Sequence, residues 1–300
     1  MHDGFEQRLR SLDVRLFDAI GHPGWRRDPI SLLAVHAACR EAHGTFAYLE
    51  IGSYLGSSLQ SFIADYCCTS IVSIDPRPES VPDDRWGSSH YHDNTTERML
   101  SLLDSVAGAD LGKLVTFEAD AADVGLESLP AVPQLCFVDG EHTYDAALSD
   151  ARFCLRALRG EGAILFHDRA VVASAIAGFM AELAREGVPF VGYALPSVLF
   201  VVELGEPQLL RREPVRRWLG SRRVRFWRLA NSGQPARRLG YLLIAEARLR
   251  RSTPGWLKLA LATTGIRKAT ADGPPKGPSG VEPSQDVASE RAHAASGDRC

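Results

Sequence analysis

No apolar run in the chain of 300 residues approaches the length a bilayer crossing needs, and the opening stretch, "MHDGFEQRLRSLD", is charged where a secretory leader would be apolar. Both absences lead us to expect a cytoplasmic protein. The cysteines Cys39, Cys67, Cys68, Cys136, Cys154 and Cys300 lack metal-type spacing, and most fall inside apolar segments. Buried thiols in a reducing compartment fit that pattern better than disulfides or a zinc site. The chain has no G-x-G-x-x-G fingerprint, no phosphate-loop Lys-Ser/Thr and no internal repeat, so pyrophosphate is a poor candidate ligand.

What is present suffices for one substantial core: 45% of residues are apolar and 24% charged, which suits one main domain with appendages. The net charge of −3 hides an electrically bipolar chain. Residues 206–270 hold 16 Lys/Arg against three acids, so the remainder carries −16. Beyond 270 the sequence is Gly, Pro, Ser and Ala with almost no large apolar residue, which predicts a disordered tail over 271–300.

Along the first 44 residues, Phe5, Leu9, Leu12, Leu16 and Ile20 recur at helical spacing, and a second helix starts where Asp28 can cap and Pro29 can sit first. From Phe46 the period changes. "FAYLEI", "SIVSID", "LVTFEA", "LCFVDG" and "GAILFHD" are short apolar or β-branched runs, separated by segments of 3.6 periodicity. An Asn94 to Glu97 spacing reads as a capping box ahead of the Met99, Leu102, Leu103, Val106 stripe. The alternation predicts an α/β, Rossmann-like, mostly parallel sheet covered on both faces, with a crevice at the strands' carboxyl ends. "FVGYA" and "VLFVVEL" then follow three residues apart, too close for a crossover helix, so the seventh and last strand must be antiparallel.

Three strand ends carry chemistry. "YLEIGSYLGSSLQSF" sets Gly52 and Gly56 between the first strand and a helix, where backbone amides can approach a ligand; the competing reading is a tight turn. Asp75 ends the next strand, where a carboxylate can accept both hydroxyls of a ribose or simply stop the strand before Pro76. Asp120 follows the third, suited to an adenine edge. Further on, "FVDGEHTYDAAL" crowds Asp139, Glu141 and His142 at a strand end, and "LFHD" brings His167 and Asp168 to the next. If those strands are neighbours, Asp139 and Asp168 offer two hard oxygen ligands to a divalent cation; alternatively Asp139 and Gly140 form only a turn, and His142 with Asp145 only caps the helix. The long, Pro- and Asp-rich connection 76–94, with Trp86, His90, Tyr91 and His92, reads either as a lid or as a loop its aromatics anchor to the body.

"LEIGSYLGSS", "SIDP" and "FVDGEHTYDAALSDARFCLRALRGEGAILFHD" together resemble the class I S-adenosylmethionine-dependent methyltransferases, over about residues 46–204. Within them the chain is similar to catechol-type small-molecule O-methyltransferases and to those associated with glycan and natural-product biosynthesis. By motif, the resemblance implies that Glu50, Gly52, Ser53, Tyr54, Gly56 and Ser58 surround the methionine part of S-adenosylmethionine, Asp75 holds its ribose, and Asp120 with Ala121 borders its adenine. It implies Asp139, Asp168 and His167 as ligands of Mg²⁺ or another divalent cation, and His142, where catechol-type enzymes carry a lysine, as the base. The catalytic set expected is thus His142, Asp139 and His167. The fifth strand departs from the family pattern: Asp-Asn or Asp-Asp is usual, and His167-Asp168-Arg169 stands here. His167 as a ligand would favour a softer cation than Mg²⁺.

The organisation expected is a helical lead-in over 1–44, the methyltransferase domain over 45–205, a basic aromatic helical arm over 206–270, and the tail. Arginines interleave with Trp218, Phe226, Trp227, Tyr241 and Trp256 in 211–258, which suits either a peripheral contact with the inner membrane surface or docking on the acidic core of the same or another subunit; no nucleic-acid-binding module is evident. The activity expected is methyl transfer to a hydroxyl of a sugar or glycosylated small molecule. The alternatives are a degenerate cofactor-binding scaffold, or a metal-dependent hydroxylase relative.

Overall fold

The computed structural model describes residues 2–21, 27–84, 87–196, 198–223 and 229–230. Strands β1 (Phe46–Ile51), β2 (Cys68–Ile74), β3 (Ser80–Asp83), β4 (Gly87–His90), β5 (Leu114–Phe117), β6 (Leu135–Val138), β7 (Gly162–Phe166), β8 (Phe190–Ala194), β9 (Phe200–Leu204) and β10 (Leu229–Ala230) are interspersed with helices. The helices are α1 (His2–Arg10), α2 (Arg27–His43), α3 (Gln60–Ile63), α4 (Thr96–Asp104), α5 (Tyr144–Ala157), α6 (Ala173–Arg185) and α7 (Glu213–Arg223). The main sheet runs β10-β8-β9-β7-β6-β1-β2-β5, and β3 with β4 forms a separate hairpin.

All seven expected strands form. β1, β2, β5, β6 and β7 are mutually parallel, and β9 slots antiparallel between β7 and β8. The short β8–β9 connection dictates that reversal, because no crossover fits it. Two elements go beyond the sequence reading: β10 pairs antiparallel with β8, and the β3–β4 hairpin occupies the 76–94 connection.

The period-2 alternation of each strand feeds two cores. Leu49, Ile51, Ile74, Val138, Ile164 and Phe166 pack under α5 and α6, while Tyr48, Ile71, Phe137, Leu165 and Val201 pack with α2, α3, α4 and α7 on the other face. Burial on both faces explains why these strands read as continuous apolar runs. α7 belongs to that second core: Val215 and Leu219 are buried, and Trp218 Nε1–H donates to Ser31 Oγ of α2 at 2.8 Å. The start of the basic segment is therefore docked on the sheet domain. The tail 271–300, Trp86 and the remaining arm aromatics lie outside the described residues.

Two helix starts differ from expectation. The stripe from Phe5 to Ile20 is broken: α1 stops at Arg10, Leu12 takes φ 56°, and Asp13 caps a short 3₁₀ turn over Val14–Phe17 by accepting from Arg15 N–H. Aspartate competes well for that role, so a cap overrides the period. At α4 the cap is Thr95, accepting from Arg98 N–H, and Asn94 instead turns inward to donate to the Pro78 carbonyl.

Candidate functional site

The strand registers align the carboxyl ends into one row. Ile51 lies opposite both Ile74 and Val138, Ile74 opposite Phe117, and Val138 opposite Phe166. The next residue of each strand is held by its neighbour's last carbonyl: Gly52 N–H to Ile74, Asp75 N–H to Phe117, Asp139 N–H to Ile51, His167 N–H to Val138. From β1 the chain order runs outward in both directions, and the crevice opens at that switch point between β1 and β6. It is lined by Gly52, Tyr54, Asp75, Asp120, Ala121 and Asp139, with Pro78, Val81, Tyr91 and Asn94 of the 76–94 connection and Asp150 of α5.

Gly52, at φ +84°, is required by the close approach of two strand ends, since a Cβ there would overlap the backbone of Asp139 and Gly140. Gly56, at φ +80°, lies against Met99 and Leu103 of α4, where a Cβ would press at 3.1 and 3.2 Å. Both glycines thus serve packing, and only Gly52 borders the crevice. Among the described residues, Tyr54, Arg77 and Asp168 also take left-handed φ without being glycine, and all three border or support this edge.

Asp75 is 4% exposed and held from behind: its Oδ2 accepts Tyr54 N–H and its Oδ1 accepts Arg77 N–H, each at 2.8 Å. Arg77 adds its guanidinium at 3.6 Å and braces the connection through Asn94 and the Tyr54 carbonyl. The carboxylate is therefore fixed in direction where it borders the crevice. Tyr54 O–H donates to the His92 carbonyl at 2.9 Å, and its ring packs edge-on against Tyr91 at 5.1 Å. Tyr91 thus anchors the connection to the glycine loop as well as lining the crevice.

On the other side of β1, a cluster of imidazoles and carboxylates gathers at the ends of β6 and β7. His167 Nδ1 stands 3.0 Å from Asp139 Oδ1 and 3.8 Å from Asp168 Oδ2; His142 Nε2 stands 3.5 Å from Asp168 Oδ2 and 3.8 Å from Asp139 Oδ1. Asp139, His142 and His167 each offer a donor atom within 4.8 Å of the others. Burial pulls His167 down, but Asp139 and Asp168 outweigh it and lift the ring to about 9. His142 is likewise raised, Asp139, Asp168 and Asp83 overcoming its burial, and the two imidazoles hold Asp139 well below the usual carboxylate range against its own desolvation. His90 and His92 join no such cluster among the described residues.

The remaining predicted cofactor residues lie behind the crevice. Glu50 is fully buried; burial pushes its carboxyl up to about 8, against hydrogen bonds from Ser58 Oγ and from Tyr48 O–H, the latter at 2.6 Å. Ser53 Oγ accepts from Ser73 Oγ–H at 2.9 Å, and Ser58 Oγ–H donates to Glu50. The helix α5 is capped by Thr143, which accepts from Ala146 N–H, so His142 and Asp145 are not its cap.

Two acids were missed by sequence reasoning. Asp83 ends β3 inside the Pro- and Asp-rich connection, where nothing in the spacing marks it. Asp150 falls among the alanines of α5's inner face, and burial, with Asp120 and Glu141 nearby, pushes it up to about 7. Its signal was available: an acid four residues from Ala146 and next to Ala151 interrupts an otherwise apolar stripe.

Residues 49–169 match the model of a family described as a methyltransferase domain. No curated protein matches the chain. Among solved structures, the chain is similar to the O-methyltransferase TomG from Streptomyces achromogenes, involved in tomaymycin synthesis and in complex with SAM: 16% identity, 69% of this chain and 92% of that one, TM-score 0.42. It is similar to an O-methyltransferase from Bacillus cereus in complex with SAH, at 10% identity over 69% and 92% with TM-score 0.44. A third is the methyltransferase MycE of mycinamycin biosynthesis in complex with Mg, SAH and mycinamycin VI, at 14% identity over 66% and 54% with TM-score 0.42.

Proposed function

We propose, with a methyltransferase domain across residues 49–169 as the premise, that the chain is a class I S-adenosylmethionine-dependent O-methyltransferase acting on a hydroxylated small molecule. The observation that carries the reading is the pairing of a backbone-fixed Asp75 with the Asp139, His142, His167, Asp168 cluster in one row of strand ends. Asp75 suits the ribose diol, Asp120 and Ala121 the adenine side, and Gly52 with Tyr54 the methionine side. Glu50, Ser53 and Ser58 would shape the loop from behind, since none of them lines the crevice.

Asp139, Asp168 and His167 would hold the cation. Two carboxylates and an imidazole suit Mn²⁺, Fe²⁺ or Zn²⁺ better than Mg²⁺, which prefers oxygen throughout. Bound in the crevice, S-adenosylmethionine would supply a methyl on a good leaving group, and the cation would lower the pKa of the acceptor hydroxyl. His142 Nε2 takes the acceptor's proton, and the crevice walls align donor and acceptor. A sugar hydroxyl as acceptor rests on the motif resemblance alone.

Calorimetric titration with S-adenosylhomocysteine, with and without Mn²⁺ or Mg²⁺, tests the reading. Micromolar binding that is lost in Asp75→Ala supports it, as does a metal effect that vanishes in Asp139→Ala. No binding under any condition removes it. A metal effect lost equally in His142→Ala would make His142 a ligand and not the base.

A further inference from the structure

The β3–β4 hairpin does more than wall the crevice. Its residue Asp83 is 2% exposed and sits behind His142, with Oδ2 at 2.9 Å from Nδ1 of the ring. The same oxygen accepts Ser89 Oγ–H across the hairpin at 3.0 Å. Backbone contacts reinforce the pairing, for Asp83 and His142 form an isolated parallel bridge, and Asp84 N–H donates to the His142 carbonyl at 3.3 Å. Side chain and main chain therefore fix His142 against a segment that is remote in sequence.

A neutral imidazole carries one proton, and the partner of one nitrogen decides what the other can do. Carboxylates stand at both nitrogens, and the nearest decides where the one proton of a neutral ring sits: Asp83 Oδ2, at 2.9 Å, accepts from Nδ1–H, which leaves the lone pair on Nε2. Nε2 is the atom that faces the cluster, 3.5 Å from Asp168 Oδ2 and 3.8 Å from Asp139 Oδ1.

We propose that Asp83 is a positioning residue, which holds His142 in the Nδ1–H tautomer and presents its Nε2 lone pair to the acceptor hydroxyl. The proposal deepens the function argued above and rests on it. In the transfer, the Nε2 lone pair takes the hydroxyl proton, the oxygen's electron pair forms the new C–O bond, and the breaking C–S pair stays on sulfur. The imidazolium so formed lies against the Asp83 carboxylate, which balances its charge. The 76–94 connection is on this account part of the reacting machinery, and loss of its tip would cost turnover without removing any group that touches a ligand.

The tautomer can be read directly by NMR of protein with ¹⁵N-labelled histidine, the His142 signals being assigned by their absence in His142→Gln, at a pH alkaline enough for a neutral ring. The expected wild-type spectrum has a protonated Nδ1 and an unprotonated Nε2; the reverse pattern overturns the proposal without recourse to any variant. Asp83→Ala should shift the ring towards Nε2–H, while Ser89→Ala, which removes only the hairpin bond, should leave it unchanged. S-adenosylhomocysteine affinity in Asp83→Ala should stay within about twofold. With an acceptor in hand, kcat should fall on the order of 10²-fold or more, with KM little changed. An unaltered tautomer and unaltered kcat in Asp83→Ala refute the positioning role. Absent cofactor binding with the wild-type tautomer as expected would instead refute the methyltransferase reading and leave the Asp83–His142 geometry standing.

Discussion

Replacing Glu50 by glutamine should make the protein more stable, by an amount that grows with pH. Glu50 is fully buried, and its carboxyl is raised from 4.5 to about 8, chiefly by desolvation. The native state therefore keeps a proton that the unfolded chain releases above about 4.5. Stability falls as pH rises through that window at about 1.4 kcal/mol per pH unit, levelling above about 8, for a total near 5 kcal/mol. Glutamine carries no such penalty. Its oxygen can accept from Tyr48 O–H as Glu50 Oε2 does, and its amide faces Ser58 Oγ, where the hydroxyl that donates to Glu50 would turn to accept. Urea denaturation of both proteins from pH 5 to 9 isolates the effect, since every other group titrates alike in the two. The difference should climb in favour of Glu50→Gln with that slope and flatten near pH 8. A difference that is flat with pH would mean that Glu50 is ionised in the fold, and the argument that burial dominates its two hydrogen bonds would fail.

Asp75→Ala should weaken S-adenosylhomocysteine binding by about 10- to 100-fold in calorimetry, the usual loss when charge-assisted hydrogen bonds go, and should also lower stability by about 1–3 kcal/mol because the Tyr54 and Arg77 N–H groups lose their acceptor. Gly52→Ala should destabilise by about 2 kcal/mol or more, because a Cβ combines a left-handed backbone with overlap onto Asp139 and Gly140; denaturant midpoints would show it, and a neutral outcome would refute the close-approach account. Thr143→Ala should cost about 1 kcal/mol through loss of the α5 cap, read from thermal unfolding. Asp65→Ala should cost about 1–3 kcal/mol, since it removes the acceptor facing His36 Nε2 and Arg40 in the interior while Arg40 keeps Glu6 and Tyr66, and cofactor affinity measured below Tm should not move.

The sheet was legible because its information is local. Each strand end is written as an apolar run closed by a polar residue, and the only topological surprise available, the direction of β9, followed from a connection too short for a helix. That Gly52, Asp75, Asp139 and His167 share one edge was legible for the same reason: a parallel register turns "first residue after the strand" into a spatial address. What failed depended on contacts remote in sequence. Asp83 gains its meaning only when the hairpin folds back onto His142, 59 positions away, and no period announces that. Thr95 displaced Asn94 as a cap because Asn94 was needed to tie down Pro78, a demand invisible along the chain. Glu50 sits in the motif that suggested ligand contact, yet period 2 along β1 turns it towards the α3 face, with Tyr48, and away from the crevice.

Two aspartate–histidine pairs in this fold separate structure from chemistry. His36 Nε2 bonds Asp65 Oδ2 at 2.8 Å, and its Nδ1 meets Ser61 Oγ at 3.1 Å, the residue types and order of a hydrolytic triad. Every member is fully buried, the ring stacks on Phe62 at 4.2 Å, and burial pulls His36 below its ordinary value. No substrate atom can reach that serine, and a ring enclosed in the core meets no solvent to exchange protons with, so the array serves as a polar tie between α2 and the segment around α3. The Asp83–His142 pair has the same short contact but a different outlook. One nitrogen is tied back, the other faces a cluster at the mouth of the crevice, and three carboxylates raise the ring instead of leaving burial in charge. The difference lies in which surface the second nitrogen meets, and that is decided by the row of strand ends on which Asp139 and Asp168 stand.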